Sequence, residues 1–208
     1  AEGHYTSAYD VAVISRELVN KHPKIHDYLQ IWIDSLRNGE FGLANTNKLI
    51  RFYKGADGIK TGSTSKALFC LAATAKRENT RYIAVIMGAP SSERRFQEAS
   101  KLLDYGFANF VMVKAGNKGE VIGEVTVSKG MNSSVKAVAA QDIFLLVNKG
   151  EQGNINKNIE LNMNVEAPVD KGQKIGEVVF IAAGKEVGRI DAVAETGVQR
   201  ASIIRIII

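Results

Sequence analysis

The chain has 208 residues, 45% hydrophobic and 24% charged, enough to bury a core in one large domain or two small ones. No run reaches the roughly 18 apolar residues of a helical membrane span, and Ala1-Glu2-Gly3-His4 lacks the basic start and apolar run of a signal peptide. The net charge of +5 is spread out, with 15 Lys/Arg against 11 Asp/Glu in residues 1–110 and 12 against 11 in residues 111–208, so no nucleic-acid partner is expected.

Thr6 and Ser7 offer a capping hydroxyl to the stretch Ala8 to Val19, in which Val11, Ile14 and Leu18 fall on one helical face. A helix ending before Pro23 is expected. Ile31-Trp32-Ile33-Asp34 reads as a strand entering an Asn38-Gly39 hairpin turn, and Asn45-Thr46-Asn47 as a polar connection. From Asp57 to Ala89 the pattern predicts three antiparallel strands, the last two separated by the charged turn Lys76 to Thr80. Ser91 or Ser92 then caps a helix to about Asn109, whose Phe96, Ala99, Leu102, Leu103 and Phe107 repeat at three- and four-residue intervals and should lie on that sheet.

Near Val111 the helical periodicity stops, and Val/Ile-rich runs alternate with turns at Gly116, Lys129-Gly130, Lys149-Gly150, Lys171-Gly172 and Ala183-Gly184. Strands are expected over 121–127, 134–138, 143–147, 159–165, 175–182, 187–193 and 201–208. The last includes the apolar run Ile203 to Ile208, read as a core strand rather than a membrane contact. The predicted class is therefore α+β: an antiparallel sheet with packed helices in residues 1–110, followed by a small all-β sandwich domain in residues 111–208.

Chemistry-bearing residues are few. Cys70, the only cysteine, sits in an apolar run and reads as a small buried hydrophobe. His22 and His26 are four apart, but Pro23 intervenes and no glutamate follows His22, so no metal site is expected. Lys60-Thr61-Gly62 lies on the first of the three strands, where it could present a cation, a hydroxyl and a thin backbone to an extended peptide.

Around that tripeptide the wording is specific. Gly58-Ile59-Lys60-Thr61-Gly62-Ser63-Thr64, the strands Phe69 to Arg77 and Arg81 to Gly88, the helix from Arg95 to Phe107 and the start His4-Tyr5-Thr6-Ser7-Ala8 together resemble the D-alanyl-D-alanine carboxypeptidase family, the low-molecular-mass penicillin-binding proteins. The likeness is to Gram-positive, spore-former-type members and spans nearly the whole chain, as the rear of the catalytic domain plus the C-terminal β-domain. It implies a penicillin-binding, β-lactamase-like transpeptidase fold and a serine acyl-transfer enzyme without cofactor. The implied partners are peptidoglycan stem peptides ending in D-Ala-D-Ala and β-lactam antibiotics. The implied location is the extracellular face of the cell membrane or the cell wall, with tethering by a C-terminal helix that would follow Ile208.

Carried over by position, the resemblance gives Lys60 the catalytic positive potential, Thr61 the terminal carboxylate, Gly62 close backbone approach and the Ser63 N–H an oxyanion donor. Arg95 matches an arginine that helps hold the same carboxylate; its other reading is an exposed first-turn cation beside Arg94. The family's two serine motifs are missing. No Ser-x-Asn occurs, and Ser63-Thr64-Ser65-Lys66 and Ser133-Ser134-Val135-Lys136 match Ser-x-x-Lys only as strings, of which 12 serines and 17 lysines give about one by chance. The expectation is a chain lacking the nucleophile, whose partner is the missing upstream half of the catalytic domain. The alternative is a non-catalytic peptidoglycan-binding or scaffolding protein.

Overall fold

A computed structural model describes residues 3–202, in two compact units that meet in sequence between Asn109 and Phe110. The expected terminal strand from Ile203 lies outside the described residues.

In the first unit, α1 (Ala8–Lys21) starts at a capping box: the Ser7 hydroxyl accepts from the Asp10 N–H, and the Asp10 carboxylate accepts from the Ser7 N–H. Ser15 and Val19 are its buried positions, whereas Ile14 is 65% exposed. The inner face therefore follows the four-residue steps Val11, Ser15 and Val19, rotated from the one read through Ile14. Pro23 opens a short 3-10 turn leading into α2 (His26–Leu29).

Strands β1 (Ile33–Leu36) and β2 (Phe41–Ala44) form a hairpin in the register Ile33 to Ala44 and Leu36 to Phe41. Arg37, Asn38 and Gly39 all take positive φ in the turn, which the Asn-Gly pair tolerates best. The strand begins at Ile33 rather than Ile31, because the Ile31 N–H still closes the preceding turn on the Tyr28 carbonyl. Next comes the single-turn α3 (Leu49–Phe52).

The three expected strands are β3 (Ala56–Thr64), β4 (Leu68–Arg77) and β5 (Thr80–Ala89), an antiparallel sheet in that order. Among the described residues the outer edge of β3 has no strand neighbour. Helix α4 (Ser92–Asn109) lays Phe96, Ala99, Leu103 and Phe107 on the sheet, against Leu71, Ala73, Ala75 and Ala84. Small strand residues thus meet large helix residues, and that difference in size lets the layers interdigitate. Leu102, assigned to this stripe from sequence, is 50% exposed; Gly106 takes the inward place, where a Cβ would come within 3.1 Å of the Tyr82 ring.

The second unit contains β6 (Phe110–Gly116), β7 (Val121–Ser128), β8 (Ser134–Ala139), β9 (Ile143–Asn148), β10 (Ile155–Leu161), β11 (Asn164–Glu166), β12 (Lys174–Ala182) and β13 (Lys185–Ala194). Six of them form a sheet in the order β10-β12-β13-β8-β7-β11, and β6 pairs with β9 in a second sheet. Strand β9 alternates strictly, sending Ile143, Leu145 and Val147 inward onto Val178, Phe180 and Ile190 of the larger sheet. Two facing sheets with interdigitated inner residues make this the expected sandwich. The single strand read over 159–165 is two, β10 and β11, separated at Asn162-Met163, where Met163 is 95% exposed.

Candidate functional site

Strand β3 pairs with β4 in the register Lys60 to Ala72, Thr61 to Leu71, Gly62 to Cys70 and Ser63 to Phe69. Because strand side chains alternate, Ile59, Thr61 and Ser63 share the face of Leu71 and Ala73, on which α4 lies, and Lys60 shares the opposite face with Ala72. Thr61 is buried, whereas Lys60, Gly62 and Ser63 are exposed. The Lys60 ammonium donates to the Thr61 carbonyl at 2.6 Å. At Gly62 no atom lies within 4 Å of where a Cβ would stand, so the strand surface there is open to an approaching chain.

Arg95 is the least ordinary residue of the unit. It leaves the first turn of α4 and is only 7% exposed, so the exposed-cation reading fails. One terminal guanidinium nitrogen donates to the carbonyls of Gly62 and Cys70, both at 3.3 Å, and the other donates to the Ser92 hydroxyl at 3.1 Å. Its carbon sits 4.8 Å from the Phe96 ring centroid and 5.5 Å from that of Phe69. Its Nε is buried with no hydrogen-bond partner, and no carboxylate pairs with the group among the described residues. Burial lowers its pKa from the ordinary arginine value, yet a guanidinium keeps its proton in proteins. A cation without a counter-charge therefore backs the Gly62 carbonyl.

Three further contacts fix β3, and none was read from the sequence. The Thr46 and Thr61 hydroxyls lie 2.6 Å apart, and the buried Asn47 amide donates to the Gly58 carbonyl at 3.0 Å. Asp57 takes a two-pronged bond from Arg81, 2.7 Å on each oxygen, and the same guanidinium donates to Thr74 at 2.8 Å. His26 packs on this pair, its Nδ1 3.4 Å from an Asp57 carboxylate oxygen and 3.2 Å from the Asp57 carbonyl. Signals for these partners were thin: Asp57 reads only as the start of the strand, and Arg81 is 24 residues away.

Cys70 is half-buried opposite Gly62 rather than fully buried, its thiol directed at the Ala67 carbonyl. Ser63 to Lys66 runs from the end of β3 into a turn, and Ser133 to Lys136 enters β8, so neither string sits at the start of a helix. No group of three His, Cys, Asp or Glu side chains that could hold a metal occurs among the described residues.

Residues 1–91 match the family model of D-alanyl-D-alanine carboxypeptidase, and residues 110–200 match that of the penicillin-binding protein 5 C-terminal domain. Both stretches thus resemble parts of D-alanyl-D-alanine carboxypeptidases. It is 36% identical over 207 residues to the D-alanyl-D-alanine carboxypeptidase DacF of Bacillus subtilis, covering 98% of this chain and 53% of that protein. Identity to DacA of Haemophilus influenzae is 37% over 189 residues, 88% of this chain and 47% of the relative. Penicillin-binding protein 5 of Haemophilus influenzae superposes with a TM-score of 0.88 at 33% identity, over 96% of this chain and 58% of that one. The chain thus spans about half the length of the curated family members it matches.

Proposed function

We propose that the whole protein is a penicillin-sensitive, serine-type D-Ala-D-Ala carboxypeptidase that removes the terminal D-alanine of peptidoglycan stem peptides, and that this chain supplies the strand on which the peptide's C-terminus lies. The observation that carries the reading is the cation without a counter-charge, Arg95, hydrogen-bonded to the back of an open edge strand that bears Lys60, Thr61 and Gly62. A positive, hydroxyl-bearing edge suits an extended peptide ending in a carboxylate.

In this reading the peptide pairs along the outer edge of β3. The Thr61 hydroxyl donates to the terminal carboxylate, and Arg95 lowers the cost of bringing that charge against the strand. Lys60 favours the negative charge that builds on the attacked carbonyl and helps keep a neighbouring serine deprotonated, while the Ser63 N–H donates to the developing oxyanion. The serine, which this chain does not supply, forms an ester with the penultimate D-alanine carbonyl as the peptide bond breaks, and the departing D-alanine takes the proton at its amine. Water then cleaves the ester. The reaction belongs outside the cell membrane, where the substrate is, and the second unit fits a spacer or wall-facing role.

Intact-mass spectrometry of the whole protein, with and without benzylpenicillin, tests this. A gain of one penicillin mass is expected, because a nucleophile in this geometry opens the β-lactam and stays acylated. No gain in mass leaves a non-catalytic peptidoglycan binder and sinks the enzymatic reading.

A further inference from the structure

The Thr46 and Thr61 hydroxyl oxygens are 2.6 Å apart, a full-strength hydrogen bond in which either can be the donor. Each hydroxyl has one proton to give. If Thr61 spends its proton on Thr46, it can offer a carboxylate only lone pairs, which repel. If Thr46 donates, Thr61 is held as an acceptor and its own proton is free to turn outward along β3.

We infer that Thr46 is a positioning residue that, by donating to Thr61, makes Thr61 a donor to the substrate carboxylate. This rests on the substrate-strand reading given above. The loop is built to hold Thr46 in place. On one side the Asn45 amide donates to the Leu29 and Ile31 carbonyls, at 3.1 and 3.0 Å, and its oxygen accepts from the Asn47 N–H at 2.9 Å. On the other side Asn47, 1% exposed, donates to the Gly58 carbonyl of β3 itself and accepts from the Leu49 N–H. Two asparagines thus tie the loop to α2, to α3 and to β3, and the threonine between them reaches Thr61. Thr61 is 7% exposed whereas Thr46 is exposed, so the hydroxyl pair spans the boundary between the buried strand face and solvent, and Thr46 is the side chain that holds the donor there. A hydrogen bond that sets the proton direction of the next one adds to its strength, as in any short hydroxyl chain.

The test uses the whole protein as wild type, Thr46→Val and Thr46→Ser, acylated by benzylpenicillin and by its methyl ester, which keeps the reactive ring and loses the carboxylate. Valine keeps the shape and removes the donor; serine keeps the donor. The inference expects Thr46→Val to lose about three- to tenfold in second-order acylation rate on penicillin and under about twofold on the ester, with Thr46→Ser within about twofold of wild type on both. Equal losses on both compounds, or no loss on either, overturn it, because a merely structural role does not distinguish a carboxylate from its ester. Absence of acylation in the wild type is a different failure: it removes the carboxypeptidase reading first, and the inference with it.

Discussion

Asp57→Asn should unfasten the start of β3. Asp57 accepts both prongs of Arg81 at 2.7 Å, and the two side chains are 14% and 23% exposed, so this is a largely desolvated pair. The substitution keeps size and one acceptor oxygen but removes the charge, and Arg81 is left with the Thr74 hydroxyl as its good partner. Breaking a fully buried pair from one side costs about 3–5 kcal/mol; partial exposure brings the expected loss to about 2–3 kcal/mol, or roughly 9–13 °C in melting temperature for a unit of this size. Urea denaturation of wild type, Asp57→Asn, Arg81→Gln and the double variant closes a double-mutant cycle, with an expected coupling of about 1.5–2.5 kcal/mol. A single-variant loss under about 0.5 kcal/mol, or a coupling near zero, would refute the argument that this pair anchors β3.

Other outcomes follow from the same packing and electrostatics. Phe180→Ala removes a side chain at 0% exposure between the two sheets of the second unit and should cost about 3–5 kcal/mol in urea denaturation; a cost under about 1 kcal/mol would mean the sandwich core lies elsewhere. Bonds from the Ser7 hydroxyl, then from the Ser7 N–H, hold the Asp10 carboxyl below the ordinary aspartate range. With the folded pKa depressed, the cap's contribution is present above the unfolded value and fades as pH falls through the folded one. An NMR titration should therefore find Asp10 below the ordinary carboxylate midpoint and Ser7→Ala should return it; an unshifted wild-type Asp10 contradicts the capping box.

The sheet and long helix of the first unit were legible because local signals and tertiary demands agree. Ser91 to Asn109 carries both a cap and an apolar stripe, and the strands from Asp57 to Ala89 are β-rich runs broken by turn residues. Strand β6 was missed because it starts at Phe110, directly after the helix ends at Asn109, with no connecting loop to set it off. Met163, at 95% exposure, reads as apolar and hid the break between β10 and β11. At the site, Lys60 to Ser63 could be named from one short motif. Arg95 could be named but not placed, since a first-turn arginine beside Arg94 says nothing of burial under β3. Thr46, Asn47 and Arg81 act through contacts that only the fold creates, and Asn45-Thr46-Asn47 looks like any polar connection.

The central claim is that the edge bearing Lys60, Thr61 and Gly62 receives a peptide by its C-terminal carboxylate. Its most direct test is release of D-alanine by the whole protein from a peptide ending in D-Ala-D-Ala, beside the same peptide ending in an amide. The account predicts release from the free acid and a rate at least about tenfold lower for the amide, the loss expected when a charge-assisted hydrogen bond is removed. Equal rates on acid and amide, or no release from either, would contradict it.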